Sequence, residues 1–369
     1  MSEMRFIKPI DGDCLTNVAG KYSAEKNTLT VTVRVAAPAG KRITICDVPA
    51  GYVDGEYRAK VKLDGYRNTL QVLDAETGEK VTAVVYWLPK ATGGFRFSVD
   101  DNIWFLQDIT ANKDTYTSIF DNPYLALYRE MHEKYGIKVH LNIFYETPKN
   151  GGFNLTQMTD KFKDEWRRNA DWLHLSFHAN SEHPDRPYIA TSYGTMRRDH
   201  DKVIAEIRRF AGEEVLLPET TVHWGESTRE GIRALRAAGM RYFAGYLTLT
   251  GSNTPSVSYY LTPDKIENAD HYGIWKDHSE DVIYTKIDLV LNTRKPEEIT
   301  KILEEAYATH PEKGFWEVMI HEQYFYPDYG HYLPDFKERL EAGFSFAKRH
   351  NLTPTFLTPV FAEEDGMRK

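Results

Sequence analysis

From Phe95 onward, short apolar runs alternate with longer stretches patterned at helical spacing, and this alternation restricts the possible folds more than any other feature of the chain. Strands are expected near 95–101, 137–144, 172–178, up to Val222, and at 241–246, 282–291, 315–321 and 354–360. Helices are expected over 122–135, 160–169, 195–211, 228–238, 296–309 and 334–350, with a less regular insertion between 250 and 280. Ser227, with Glu230 three residues on, reads as the cap of the helix after Val222. Alternation on this scale implies parallel strands wrapped by helices, because a parallel pair needs a long crossover and a helix supplies it. The expected fold is α/β, a distorted (β/α) barrel of about seven strands, in which chemistry sits at the carboxyl ends of the strands.

Residues 1–92 are patterned differently. Leu29 to Val35 alternates apolar and polar with period two, and the runs from Glu56, Thr69 and Lys80 continue in that style with turn residues between them. A small N-terminal all-β, sandwich-like accessory domain is expected over 1–92. Pro89 to Gly94 marks the boundary with the barrel, 93–369. The formal net charge of −8 argues against nucleic acid as a partner, which would need a basic face. No apolar run approaches the roughly 18 residues of a membrane span. The start, Met1 to Phe6, lacks a signal-peptide core, so a cytoplasmic protein is expected, or an exported one whose leader is absent. Cys14 and Cys46 read as two isolated thiols.

The residues that carry chemistry fall at strand ends. Ser98-Val99-Asp100-Asp101 closes the first barrel strand with two adjacent carboxylates. Their charges repel and push one of them toward its protonated form, a cost removed by a bound cation or by a division of labour between ligand and base. His178 and His183 bracket the turn after a later strand, and two neutral imidazoles with one carboxylate make a three-ligand catalytic metal set with a position open for water. His174 is a rival partner for His178, on the same face but deeper. His321 closes the apolar run from Phe315 and is followed by Glu322 and Tyr324-Phe325-Tyr326. His223-Trp224-Gly225 follows another strand and sets His223 or Trp224 against a substrate. Trp104, Trp172, Tyr324 and Tyr326 are candidate ring faces for a sugar.

At these residues the chain resembles the polysaccharide deacetylase superfamily, the NodB-homology domain of carbohydrate esterase family four, over about 93–360. Ser98-Val99-Asp100-Asp101 is similar to its first motif, which implies Asp100 as general base and Asp101 as metal ligand. His178 and His183-Pro184 are similar to its second, which implies both histidines as ligands. Met319-Ile320-His321 is similar to its last, which implies His321 as general acid. The chain departs from the family in spacing His178 and His183 five apart, and in offering no arginine in Thr220 to Gly225. The resemblance implies a metal-dependent hydrolase that removes an N-acetyl group from a carbohydrate; two histidines and an aspartate suit zinc, and His223, Trp224 and Tyr324 are expected against the substrate by their loop positions. The alternative is an inactive carbohydrate-binding or assembly protein that keeps the barrel. A glycosidase would need a second acid facing Asp100, with Glu146, Glu219 and Glu322 as candidates.

Overall fold

A computed structural model describes residues 4–252 and 255–362. In its N-terminal part the period-two pattern becomes two sheets. Leu29, Val31, Val33 and Val35 of the strand Thr28–Ala36 are buried while Thr32 is exposed. Antiparallel pairing with Glu56–Leu63 sets Val31 opposite Val61 and Val33 opposite Ala59, so one face of the ribbon is continuously apolar. Arg5–Lys8, Lys21–Ser23 and Gly51–Val53 complete that sheet. The second sheet runs Cys14–Leu15, Lys80–Trp87, Arg67–Asp74, Ile43–Ile45, Val48–Pro49, and its Leu70, Val72 and Val85 share one apolar cluster with the first. Tyr272, at the end of the helix Pro263–Tyr272, enters the same cluster, and Lys276 N donates to Gly12 O at 2.8 Å. Gly12 sits at φ +90° with the Lys276 carbonyl 2.5 Å from where a Cβ would be, so this close approach admits no side chain.

The remainder is α/β with parallel strands. One sheet runs Leu173–Ala179, Val139–Phe144, Gly94–Asn102, Phe315–His321, Leu289–Val290, all parallel. A second runs Glu219–Thr220, Tyr242–Gly245, Val282–Lys286, with Ile274–Asp277 antiparallel at its edge. The strand ladders therefore form two sheets and not one closed cylinder. Isolated bonds join the two sheets: Leu175 N to Val215 O at 3.0 Å and Ser176 Oγ to Glu219 O at 2.8 Å on one side, Thr285 Oγ1 to Glu317 Oε2 at 2.9 Å on the other. The strands beside these seams, Glu219–Thr220 and Leu289–Val290, are two residues long and too short to continue a ladder.

Helix Pro123–Tyr135 illustrates how local sequence sets the helices. Asn122 caps it by accepting from Leu125 N at 3.0 Å, Pro123 starts it, and Gly136 in the left-handed region ends it. Its buried face is Tyr124, Leu125, Tyr128 and Met131. Several expectations differ in detail. Thr228, not Ser227, caps Arg229–Ala237, accepting from Gly231 N at 3.0 Å, while Ser227 Oγ donates to the Thr228 carbonyl. In place of a closing strand, Thr353–Pro354 pairs briefly with Gly94 and Phe95, and Leu357–Phe361 is helical. The helix Trp104–Ala111, absent from the sequence reading, is capped from far along the chain by Glu322. Among the described residues no helix is long and apolar enough to cross a membrane.

Candidate active site

The strand Gly94–Asn102 explains how two adjacent acids come to share one cavity. Successive strand residues point to opposite faces. Phe95, Phe97 and Val99 pack into the main apolar core, while Arg96 turns inward to meet groups from neighbouring strands. Asp100 is on the inward face, so Asp101 would ordinarily point away. Asp101 instead has φ +64°, and the register with Val139–Phe144 slips between Val99 and Asn102. This bulge returns Asp101 to the side of Asp100, and both line one cavity. Asn102 Nδ2 holds the bulge, donating to Val99 O at 2.6 Å and Asn142 O at 3.0 Å. Aspartate is among the few residues that tolerate the left-handed region, so the cost of this conformation is modest.

Three donor atoms from three strand ends converge there. His178 Nε2 lies 3.0 Å from Asp101 Oδ1, and His223 Nδ1 lies 3.1 Å from the same oxygen. The two ring nitrogens are 3.1 Å apart. His178 Nδ1 is 2.5 Å from the Thr221 carbonyl and must carry a proton to bond it, which leaves Nε2 of the neutral ring as a lone pair. Burial lowers the His178 pKa, favouring that neutral ring. Burial works to raise the Asp101 carboxyl, but the adjacent His178 and His223 rings, either able to take up a proton beside it, prevail and hold it well below the usual carboxylate range. A carboxylate and two imidazoles thus present acceptor atoms at mutual distances that only a shared proton or a cation makes favourable. Ligands about 2.0–2.1 Å from a tetrahedral zinc stand about 3.3 Å apart, close to these separations. Asp101, His178 and His223 therefore form a group able to hold a metal ion.

Asp100 and His321 flank this trio. Asp100 is 4% exposed and pairs in register with His321. Burial first, then the charge of Asp101, raises its pKa well above the ordinary value. Asn142 Nδ2 donates to Asp100 Oδ1 at 2.7 Å, while Asn142 Oδ1 accepts from Thr221 N at 3.2 Å. The backbone N–H can only donate, so it fixes the amide with its NH₂ toward Asp100. His321 Nδ1 lies 2.8 Å from Asn292 Oδ1, leaving Nε2 outside that bond, and burial lowers the pKa of the ring. Beneath Asp100, Arg96 is fully buried and bonds Glu317, Glu219 (3.4 Å) and His140 (2.7 Å). That layer commits Arg96 to other partners and supplies no bond to Asp100 among the described residues.

The cavity has a volume of about 470 Å³ and is also lined by Trp224, Tyr324 and Tyr329. Trp224 is 44% exposed at φ +62°, on a turn where Gly225 has φ +54° and the Val257 carbonyl lies 2.9 Å from its would-be Cβ. His183 does not join the ligand group, which corrects the expectation for it. Its strand ends at Ala179, and Glu146 N donates to Asn180 O at 2.9 Å, carrying the following loop outward. His183 ends 71% exposed beside Asp185 and lines a separate surface hollow with Glu146 and Phe153. His174 lies at the far end of its strand, with Nδ1 2.7 Å from Val215 O. Of the acids considered as a glycosidase partner, Glu146 bonds Asn180 at the surface, Glu219 is bound in the Arg96 layer, and Glu322 caps a helix. Trp172 is buried against His132, and the Tyr326 ring packs on Tyr124 and Trp104, so neither serves as an open ring face. Asn142 and Asn292 carry no signal of their role in the sequence. His223, expected against the substrate, belongs to the ligand group instead, and its position after a strand is the same signal carried by Asp101, His178 and His321.

No family profile matches the sequence, and no curated protein matches it. Among solved structures the chain is similar to a mutant of a CE4 family pseudoenzyme with restored enzymatic activity, at 11% identity and a TM-score of 0.36, covering 79% of this chain and 86% of that one. It is also similar to a Bacteroides ovatus GH5 xyloglucanase in complex with a XXXG heptasaccharide, at 8% identity and a TM-score of 0.25, covering 94% of this chain and 100% of that one. Likenesses this slight assign neither fold nor activity.

Proposed function

We propose that this protein is a metal-dependent hydrolase that removes an N-acetyl group from a carbohydrate. The observation that carries the reading is the meeting of Asp101, His178 and His223 within about 3 Å, with Asp100 and His321 lining the same cavity. A divalent ion held by that trio, zinc by the chemistry of the donor set, would lower the pKa of a bound water and polarise the acyl carbonyl. Asp100 takes the proton of the attacking water. Asn142 holds the Asp100 carboxyl in place for that transfer. His321, once doubly protonated, delivers its Nε2 proton to the departing nitrogen as the C–N bond breaks, giving acetate and a free amine, and the proton that Asp100 took from water restores the balance through solvent. Asn292 Oδ1 accepts from His321 Nδ1 and so orients the ring, leaving Nε2 free to take up and pass on a proton. Trp224 and Tyr324 offer ring faces to the sugar. We read the two sheets, with five and three parallel strands, as one distorted barrel open at its seams, from 93 onward, carrying 1–92 as an all-β accessory module.

Acetate release from N-acetylated oligosaccharides by the metal-loaded protein tests the proposal. Asp100→Asn is expected to lower kcat/KM by about 10²–10⁴ while leaving metal content unchanged. A second reading, a binding protein without turnover, is favoured by one observation: Asp100 accepts no bond from a basic side chain among the described residues. Oligosaccharide binding without acetate release, at full metal occupancy, would select it.

A further inference from the structure

The wall of the candidate cavity carries fixed charge of one sign. Asp100, Asp101, Glu182 and Asp185 line it, and among the described residues no lysine or arginine does. The basic side chains nearby are engaged elsewhere. Arg186 grips Glu226 through Nε at 2.9 Å, and Lys149 lies 3.2 Å over the Trp104 ring and pairs with Asp328 at 3.0 Å. Even with a divalent ion on Asp101, the remaining carboxylates leave the wall with excess negative charge.

Glu182 stands out within this wall. It is partly buried and makes no hydrogen bond or ion pair with another described residue, whereas most other partly buried acids of the chain are paired. Burial and the nearby Asp101 charge raise its pKa, as expected of a carboxylate placed without a partner. A second observation is independent of charge. Gln323 is 2% exposed, lines the same cavity, and its Oε1 is buried with no partner. A buried acceptor left unsatisfied costs about 1–3 kcal/mol, a cost that a bound hydrogen-bond donor removes. The cavity is thus rich in acceptors and lacks cationic donors.

Resting on the deacetylase reading, we propose that the site selects glycans bearing free amines or only hydroxyls and rejects those bearing carboxylate, phosphate or sulfate, with Glu182 as the specificity-determining residue. Glu182 receives an ammonium or hydroxyl of the sugar beside the reacting acetamide, and Gln323 Oε1 receives a second donor. An anionic sugar meets like charge with no cation to offset it, so discrimination arises as much from repulsion as from attraction. Each turnover leaves an amine on the product, so a partly deacetylated chain becomes a better ligand for this wall than a fully acetylated one.

The test compares N-acetylated oligosaccharides of equal length in three forms: fully acetylated, partly deacetylated and uronate-bearing. Binding is measured by calorimetry on metal-loaded protein in the Asp100→Asn background, and acetate release separately on the parent protein. The amine-bearing form is expected to bind at least about tenfold tighter than the uronate form at low salt, with the gap narrowing as salt rises. Glu182→Gln should shrink that ratio about threefold or more, and Glu182→Lys should reverse it. Equal affinities, or a ratio that Glu182→Gln leaves unchanged, overturn the inference. The charge ranking without acetate release keeps the inference and removes the deacetylase reading, whereas acetate release without the ranking does the reverse. Absence of binding by any form together with absence of acetate release sinks both.

Discussion

Asp100 and Asp101 are adjacent in sequence and opposite in state. Burial and its neighbour's charge push Asp100 upward, while two imidazoles hold Asp101 well below the usual range. Environments that drive two carboxylates apart mark a base and a ligand. A base works only when ionised, so kcat/KM should rise with pH through the raised Asp100 pKa. Asn142→Leu removes the one bond that lowers that pKa, and should move the acid limb to higher pH while reducing kcat. A pH profile with an unmoved limb would remove Asn142 from the mechanism. At this scale much of the site was legible, because Asp101, His178, His223 and His321 all end strands. The choice of His223 over His183 was not. It depends on a loop turning outward after Ala179 and on a turn from a distant strand, and neither leaves a local trace. Asn142 was hidden for another reason: a buried amide inside an apolar run reads as part of a strand.

Glu322 shows the same limit at the level of an element. Its carboxylate accepts from Ile103 N at 2.5 Å, Trp104 N at 2.9 Å and Phe105 N at 2.7 Å, satisfying the start of Trp104–Ala111. A helix of eight residues with its cap more than 200 positions away carries no local signature. Helices capped by their own neighbours, such as Pro123–Tyr135, were readable to within a residue or two. Glu322→Ala leaves three inward N–H groups without a partner and should destabilise the fold by about 2–4 kcal/mol, with Glu322→Gln costing less. Thermal unfolding checks both. An Ala variant as stable as the parent would show that the cap contributes nothing.

Across the whole molecule, the feature that composition and periodicity concealed is the buried ionic layer under the site. Burial alone would raise Glu219, but His140 and Arg96 bring it from 4.5 to about 2. Burial lowers His140 from 6.5 to about 4, with Glu219 opposing. Both groups hold fewer protons folded than unfolded, so their contribution is present above their unfolded values and is lost as pH falls through the folded ones. Glu317, raised by burial, works in the other direction. Glu322, raised by burial to about 7, opposes the His140 loss over the same range, so the difference in denaturant stability between the parent and His140→Gln isolates it and should shrink as pH falls from about 6.5 to 4. Arg96→Met leaves Glu219 and Glu317 buried without their cation and should cost about 3–5 kcal/mol. The alternation that opened the sequence analysis did foresee parallel strands with helices between them. It did not foresee two sheets, because the seams fall at two-residue strands where inward polar side chains, not ladders, join the edges.

The central claim is that Asp101, His178 and His223 hold one divalent ion, and metal content measured on purified protein tests it most directly. The account predicts one equivalent per chain in the parent protein and in His183→Ala, and loss of the ion in His223→Ala with the fold intact by circular dichroism. A parent protein that takes up no metal when it is supplied, or an ion lost with His183 and kept without His223, would contradict it.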